Sequence, residues 1–273
     1  MVRTSAAQLP EPPHGADRVV VTGNTVIVLD GASAFEPADV PPGEYASRLG
    51  DSIAAALAVA PEAPLASVLA EAIAATTAEL GLDDDAGCPS STVAMARLAG
   101  NVLDLLALGD SYIFYGTGPG GPGTGTLTDD RLAGLGLPEQ RLYRERLAAG
   151  GGYGDAHREL LRALQRGQRL RRNRPGGYWI AAADPAAASH ALAITFPATA
   201  DTWAVLATDG TVNTARHLGL DDWPALARSG PAALASLLRH CQDWEHHADP
   251  DGRRLPRSKR HDDKAIASLT AGR

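Results

Sequence analysis

Apolar residues change their spacing several times along this chain, and each change predicts an element. Residues 18–22 (RVVVT) and 25–29 (TVIVL) are β-branched runs joined by Gly23-Asn24, the pattern of a two-strand hairpin. Leu49, Ile53, Ala56 and Leu57 within residues 44–60, and Val68, Leu69, Ile73 and Leu80 within 66–80, fit a period of 3.6 and predict two helices, separated by Pro61 and Pro64. Residues 91–98 and 101–108 read as strands around a tight turn at Ala99-Gly100, and 111–115 as a third after Gly109-Asp110. The glycine- and proline-rich stretch 116–125 predicts a loop. Residues 138–172 predict helix broken at Gly150-Gly151-Gly152, 191–196 and 203–207 predict strands, and 231–247 predict a helix with Pro231 near its start. A polar loop over 249–260 precedes a last strand at 264–269. Strands pair as hairpins and helices cluster between them, so the expected class is α+β with antiparallel sheets. Pro10, Pro12 and Pro13 predict an extended or irregular arm over residues 1–16, ahead of one domain at 17–273.

Composition narrows the function. The 273 residues carry 32 acids against 25 bases, a net charge of −7, which argues against a nucleic-acid or anionic-membrane binder. The basic run 166–174 (RGQRLRRNR) lacks the interleaved aromatics of a nucleic-acid footprint and reads as a solvated face. No apolar run approaches the roughly 20 residues of a bilayer span. The N-terminal residues lack the apolar core of a cleaved leader, so the expectation is a cytoplasmic protein. Cys88 and Cys241 are too few for a disulfide framework or a cysteine-only zinc site.

The aspartates carry the chemistry. Asp30 follows VIVL, Asp110 follows LLALG, Asp209 follows WAVLAT, and Asp262-Asp263 precede KAIASL. Each alone is ordinary turn chemistry. Together they place carboxylates at the rims of buried strands, on rigid backbone. Converging carboxylates repel unless a positive charge lies between them, and hard divalent cations are the usual answer. A metal pair acidifies water and draws electron density from a phosphoryl oxygen. HExxH, GxxxxGK[ST] and GxSxG are all absent, which leaves a metal–carboxylate hydrolase.

The same residues, in order, resemble the metal-dependent protein phosphatases of type 2C, the PPM family: VIVLDGAS, SSTVAMARL, LLALGDSYIFY, WAVLATDGTVN and HDDKAIASL. The resemblance spans residues 17–269 and suggests a divergent bacterial member. It implies a four-layer α-β-β-α sandwich of two antiparallel sheets flanked by helices. It implies two Mg²⁺ or Mn²⁺ ions, with Asp30 bridging, the Gly31 carbonyl on the second ion, and Asp209 and Asp262 completing the first. Asp110 would support the centre and Asp17 would orient the attacking water. The implied activity is hydrolysis of a phosphomonoester, foremost phosphoserine or phosphothreonine on a protein.

The chain also departs from the family pattern. Where R-x-x-N-E-D is usual, Pro12-Pro13-His14-Gly15-Ala16-Asp17 stands, so Pro12 replaces the phosphate-binding Arg and Ala16 an acid near the second ion. Ala32 stands where many members have His, and Ser90 where the GST motif begins. Arg174, in the segment NRPGGYW, is the candidate for a substitute phosphate grip. These losses keep two alternatives open: a weak or inactive relative acting as a binding or regulatory module, and a small-molecule phosphatase on the same fold. His246, His247 and His261 are weaker candidates for a further metal site.

Overall fold

The computed structural model describes residues 2–32, 39–83, 87–117 and 124–272. Residues 2–9, expected as an arm, form strand β1 (Val2–Leu9) and belong to a sheet. The sequence VRTSAAQL shows no apolar alternation, but ladder hydrogen bonds are made by backbone, which such a sequence supplies as well as any. Residues 2–9 are therefore extended and paired antiparallel with residues 264–271. The first hairpin is β2 (Arg18–Thr22) and β3 (Thr25–Gly31), turning through Gly23 at φ +53°. Helices α1 (Pro42–Val59) and α2 (Leu65–Leu80) follow, α2 ending at Gly81 in the left-handed region.

The middle of the chain gives β4 (Ser91–Ala99), β5 (Val102–Leu108) and β6 (Tyr112–Gly116), and a short strand, β7 (Gly125–Leu127), starts at the last residue of the expected loop 116–125. Residues 118–123 of that loop lie outside the described residues. The Arg- and Leu-rich stretch folds as α3 (Arg131–Gly134), α4 (Pro138–Ala148) and α5 (Asp155–Arg169). A 3-10 turn (Pro185–His190) leads to β8 (Leu192–Pro197) and β9 (Trp203–Ala207), and then α6 (Asp209–His217), α7 (Trp223–Leu226), α8 (Pro231–His247) and β10 (Lys264–Ala271) complete the chain.

Among the described residues the strands form two five-stranded antiparallel sheets, ordered β1-β10-β9-β6-β7 and β2-β3-β4-β5-β8. The continuous apolar run of β3 makes sense in this setting. Val26 and Val28 face the opposite sheet, with Ala94, Ala96, Leu206 and Ala267, while Ile27 and Leu29 face α1 and α2. On the far side, Val205, Ala207 and Ile266 pack against α6 and α8 through Val212, Leu234 and Leu238. The result is the expected α-β-β-α sandwich. Helices α4 and α5 form a small unit with its own core of Leu137, Tyr143, Leu147, Leu161 and Leu164.

Candidate metal centre

Antiparallel pairing decides where the aspartates meet. A strand begins where its antiparallel neighbour ends. Asp30 ends β3 and Asp17 precedes its partner β2; Asp209 follows β9, while Asp110 and Asp262 precede its two partners, β6 and β10. All five thus lie at one rim of the sandwich, contributed by both sheets. Asp30, Asp110, Asp209 and Asp262 line one cleft of about 340 Å³, together with Tyr112 and Arg144. A larger cavity of about 640 Å³, lined by Arg3, Asp201, Trp203 and Arg228, gathers none of these acids.

The backbone around the acids is held by short-range contacts that the motifs encode. Gly31 donates its N–H to the Ala16 carbonyl at 3.3 Å, and a Cβ at Gly31 would stand 2.9 Å from the carbonyl oxygens of Ala16 and Pro42. The backbone N–H of Asp30 donates to Thr92 Oγ1, which lies 2.6 Å from Ser111 Oγ, and Ser91 Oγ donates to the Asp30 carbonyl. The SST and GDS motifs are therefore a hydroxyl buttress behind Asp30. Gly109, at φ +83°, lets Thr92 approach within 2.9 Å of where a Cβ would be. Thr208 Oγ1 accepts the N–H of Ala265 at 3.0 Å, tying the end of β9 to the start of β10. Behind Asp262, buried Lys264 pairs with buried Glu245 at 2.8 Å and donates to the Asp262 carbonyl, while Thr214 donates to Glu245.

Electrostatics identify the cluster as crowded with negative charge. Burial, then the charges of Asp17, Asp209 and Asp262, hold the Asp30 carboxyl well above the ordinary carboxylate range. Burial, followed by Asp262 and Asp110, pushes Asp209 up to about 7, and Asp209 and Asp30 stand within hydrogen-bond reach of each other. Asp17 is raised well above its ordinary value by burial, with Asp262 and Asp263 adding to it against the opposing Thr208 hydrogen bond. Asp110 is raised by burial, with Asp129 and Asp262 contributing.

These residues fit a hard divalent cation in donor type and charge: the acids are all-oxygen, repel one another, and include a buried oxygen, Asp17 Oδ2, with no hydrogen-bond partner. Among the described residues, however, no three His, Cys, Asp or Glu side chains stand as a ready coordination set, at this rim or at His246, His247 and His261. The acids are neighbours rather than a finished shell. One cation does stand among them: Lys259 Nζ lies 3.1 Å from Asp262 Oδ1.

The structure brings Asp17, Asp30, Asp110, Asp209 and Asp262 together, with Gly31 beside them. It does not bring Arg174, which is exposed and does not line the cleft. The bases that do line it are Arg144, Arg169 and Arg172. Lys259, Thr208 and Arg144 were not legible as site residues, and Asp263 was legible only as a strand-end acid beside the expected ligand Asp262. The one available signal was that the chain's two lysines, 259 and 264, flank Asp262-Asp263.

Similar solved structures share this architecture along their whole length. The photosystem II phosphatase PBCP is 14% identical with a TM-score of 0.61, covering 99% of this chain and 98% of that one. The serine/threonine phosphatase PstP/Ppp of Mycobacterium tuberculosis is 14% identical with a TM-score of 0.56, covering 100% and 99%. The PstP catalytic domain in complex with two manganese ions is 16% identical with a TM-score of 0.55, again covering 100% and 99%. No protein-family model matches the chain, and no curated protein matches it. The fold is that of the type 2C phosphatases.

Proposed function

We propose that this chain is a divergent member of the type 2C family and hydrolyses phosphomonoesters, with phosphoserine or phosphothreonine of a protein as the foremost substrate class. One observation carries the reading: acids from five separate strand ends, drawn from both sheets, meet at one rim, where burial and then mutual repulsion raise the carboxyls of Asp17, Asp30, Asp110 and Asp209. Fold alone would not suffice, since one fold hosts many functions. The neighbours' names agree with the reading, and two manganese ions sit in one of them.

Asp30, Asp209 and Asp262, with the Gly31 carbonyl, would hold Mg²⁺ or Mn²⁺. Bound there, the ions would supply a nucleophile near neutral pH and polarise a phosphoryl oxygen. Asp17, buried and with one free oxygen, is placed to orient water by accepting its hydrogen bond. Asp110, which lines the same cleft, would support the centre. Arg144, at the cleft wall beside Asp209 and Asp262, takes the phosphate-gripping role expected of Arg174.

The test is turnover of p-nitrophenyl phosphate and of phosphopeptides with Mn²⁺, in the wild type and in Asp209→Asn. Loss of about 100-fold or more in the variant is expected, on the scale of removing one charged group that acts in the transition state. No turnover by the wild type of any phosphomonoester would overturn the reading. A second reading, a weak or inactive relative, is favoured by Pro12, Ala16 and Ala32 at positions where the family has functional side chains. Mn²⁺ binding by calorimetry without turnover would select it.

A further inference from the structure

The loop before β10 carries a positive charge into the acid cluster. Lys259 Nζ lies 3.1 Å from Asp262 Oδ1, and that same oxygen already accepts the N–H of Asp263 at 3.1 Å. Asp263 in turn accepts the backbone N–H of Ala16 through Oδ2 at 2.7 Å, so its carboxylate occupies the side of the cluster where position 16 supplies no acid. Lys259 therefore stands on the atom expected to ligate an ion.

The bland account is a solvated i,i+3 ion pair, since both side chains keep partial exposure, 31% and 22%. That account explains the contact with Asp262 but not its place, on a carboxylate that lines the acid cleft. It also does not explain the residue type. Arg fills nearly every basic position of this chain, and the exceptions, Lys259 and Lys264, both contact Asp262. A lysine ammonium is a compact point charge, closer in shape to a metal cation than a planar guanidinium is.

We propose that Lys259 is a tethered counter-cation of the carboxylate cluster: it neutralises the acids when no metal is bound and competes with a divalent ion for Asp262. The inference rests on the reading of the cluster as a metal centre. Binding of an ion at Asp262 then requires the ammonium to withdraw, so the chain holds its metal more weakly than the acids alone would.

Calorimetric titration of the full-length, chelator-treated protein with Mn²⁺ tests this in the wild type, Lys259→Met, Lys259→Gln and Lys259→Arg. Removing the charge is expected to tighten binding about tenfold or more in the Met and Gln variants, about 1.4 kcal/mol, with the Arg variant near wild type. Two neutral variants guard against one failing to fold, and circular dichroism checks each. Equal or weaker Mn²⁺ binding by both neutral variants, beside a wild type that binds, would overturn the competition and leave the metal centre standing. Binding by the neutral variants alone would support it most strongly. Absence of binding in every variant would remove both the metal centre and the competition built on it.

Discussion

Gly210 shows how tightly single residues are constrained at the rim. A Cβ there would fall 2.2 Å from the Asp263 carbonyl oxygen and 3.0 Å from Asp262 Cβ. The Asp-Gly step is thus less a turn signal than a requirement for the first turn of α6 to touch the segment before β10. Gly210→Ala must push the 262–263 segment away from Asp209. We expect it to cost about 1–3 kcal/mol of stability, the usual range for overpacking. We also expect it to weaken Mn²⁺ binding, as read by denaturant melts and calorimetry on the same sample; unchanged metal affinity would show that the loop contact does not position Asp262. Thr92 and Ser111 belong to the same scale. Their hydroxyls were legible as motif letters, while their work, bracing the backbone N–H of Asp30, emerged only from the pairing of Asp30 with Thr92 across the sheet.

At the scale of elements, the strands and the long helices followed from periodicity, because strands buried on both faces are apolar throughout and amphipathic helices repeat every 3.6 residues. Short or atypical elements escaped, among them α3, α7 and the 3-10 turn, of four to six residues each. Strand β1 lacks apolar alternation, β7 is only three residues long, and α6 starts at Asp209-Gly210, a dipeptide that reads locally as a turn. Helix α5 joins the rim through His157, whose Nε2 donates to the Ser258 carbonyl at 2.8 Å. Burial lowers the His157 pKa below its ordinary 6.5, against the opposing Ser258 bond. The folded imidazole is therefore neutral where the unfolded one begins to protonate. Stability is present above about pH 6.5 and is lost as pH falls from there toward the lowered value, since the unfolded chain binds the proton first. His157→Gln, which keeps a donor, should flatten that part of the stability profile by at most ~1.4 kcal/mol per pH unit, measured by urea midpoints across pH 5 to 7.5. An unaltered slope would place the acid sensitivity elsewhere.

The whole molecule sets the acids on two sheets: Asp17 and Asp30 lie at the rim of one, Asp110, Asp209 and Asp262 at the rim of the other. A divalent ion held by Asp30 and Asp209 would bridge the sandwich and relieve repulsion across it. Mn²⁺ at about 100 times its dissociation constant should add about 2.7 kcal/mol to unfolding stability, and a chelator should remove that increment. Equal denaturant midpoints with Mn²⁺ and with chelator would argue against a shared ion. The sequence by itself determined the α+β class, the order of the longer strands and helices, and the strand-end acids Asp30, Asp110, Asp209 and Asp262, because burial and local turn chemistry are written in neighbouring residues. Tertiary structure alone decided that those strand ends share one rim, that Arg144 rather than Arg174 lines the cleft, that Asp263 reaches position 16, and that Lys259 stands on Asp262. Each of these is a distance between residues far apart in the chain or on loops without periodicity, and only the pairing of strands and the packing of loops over them fixes such distances.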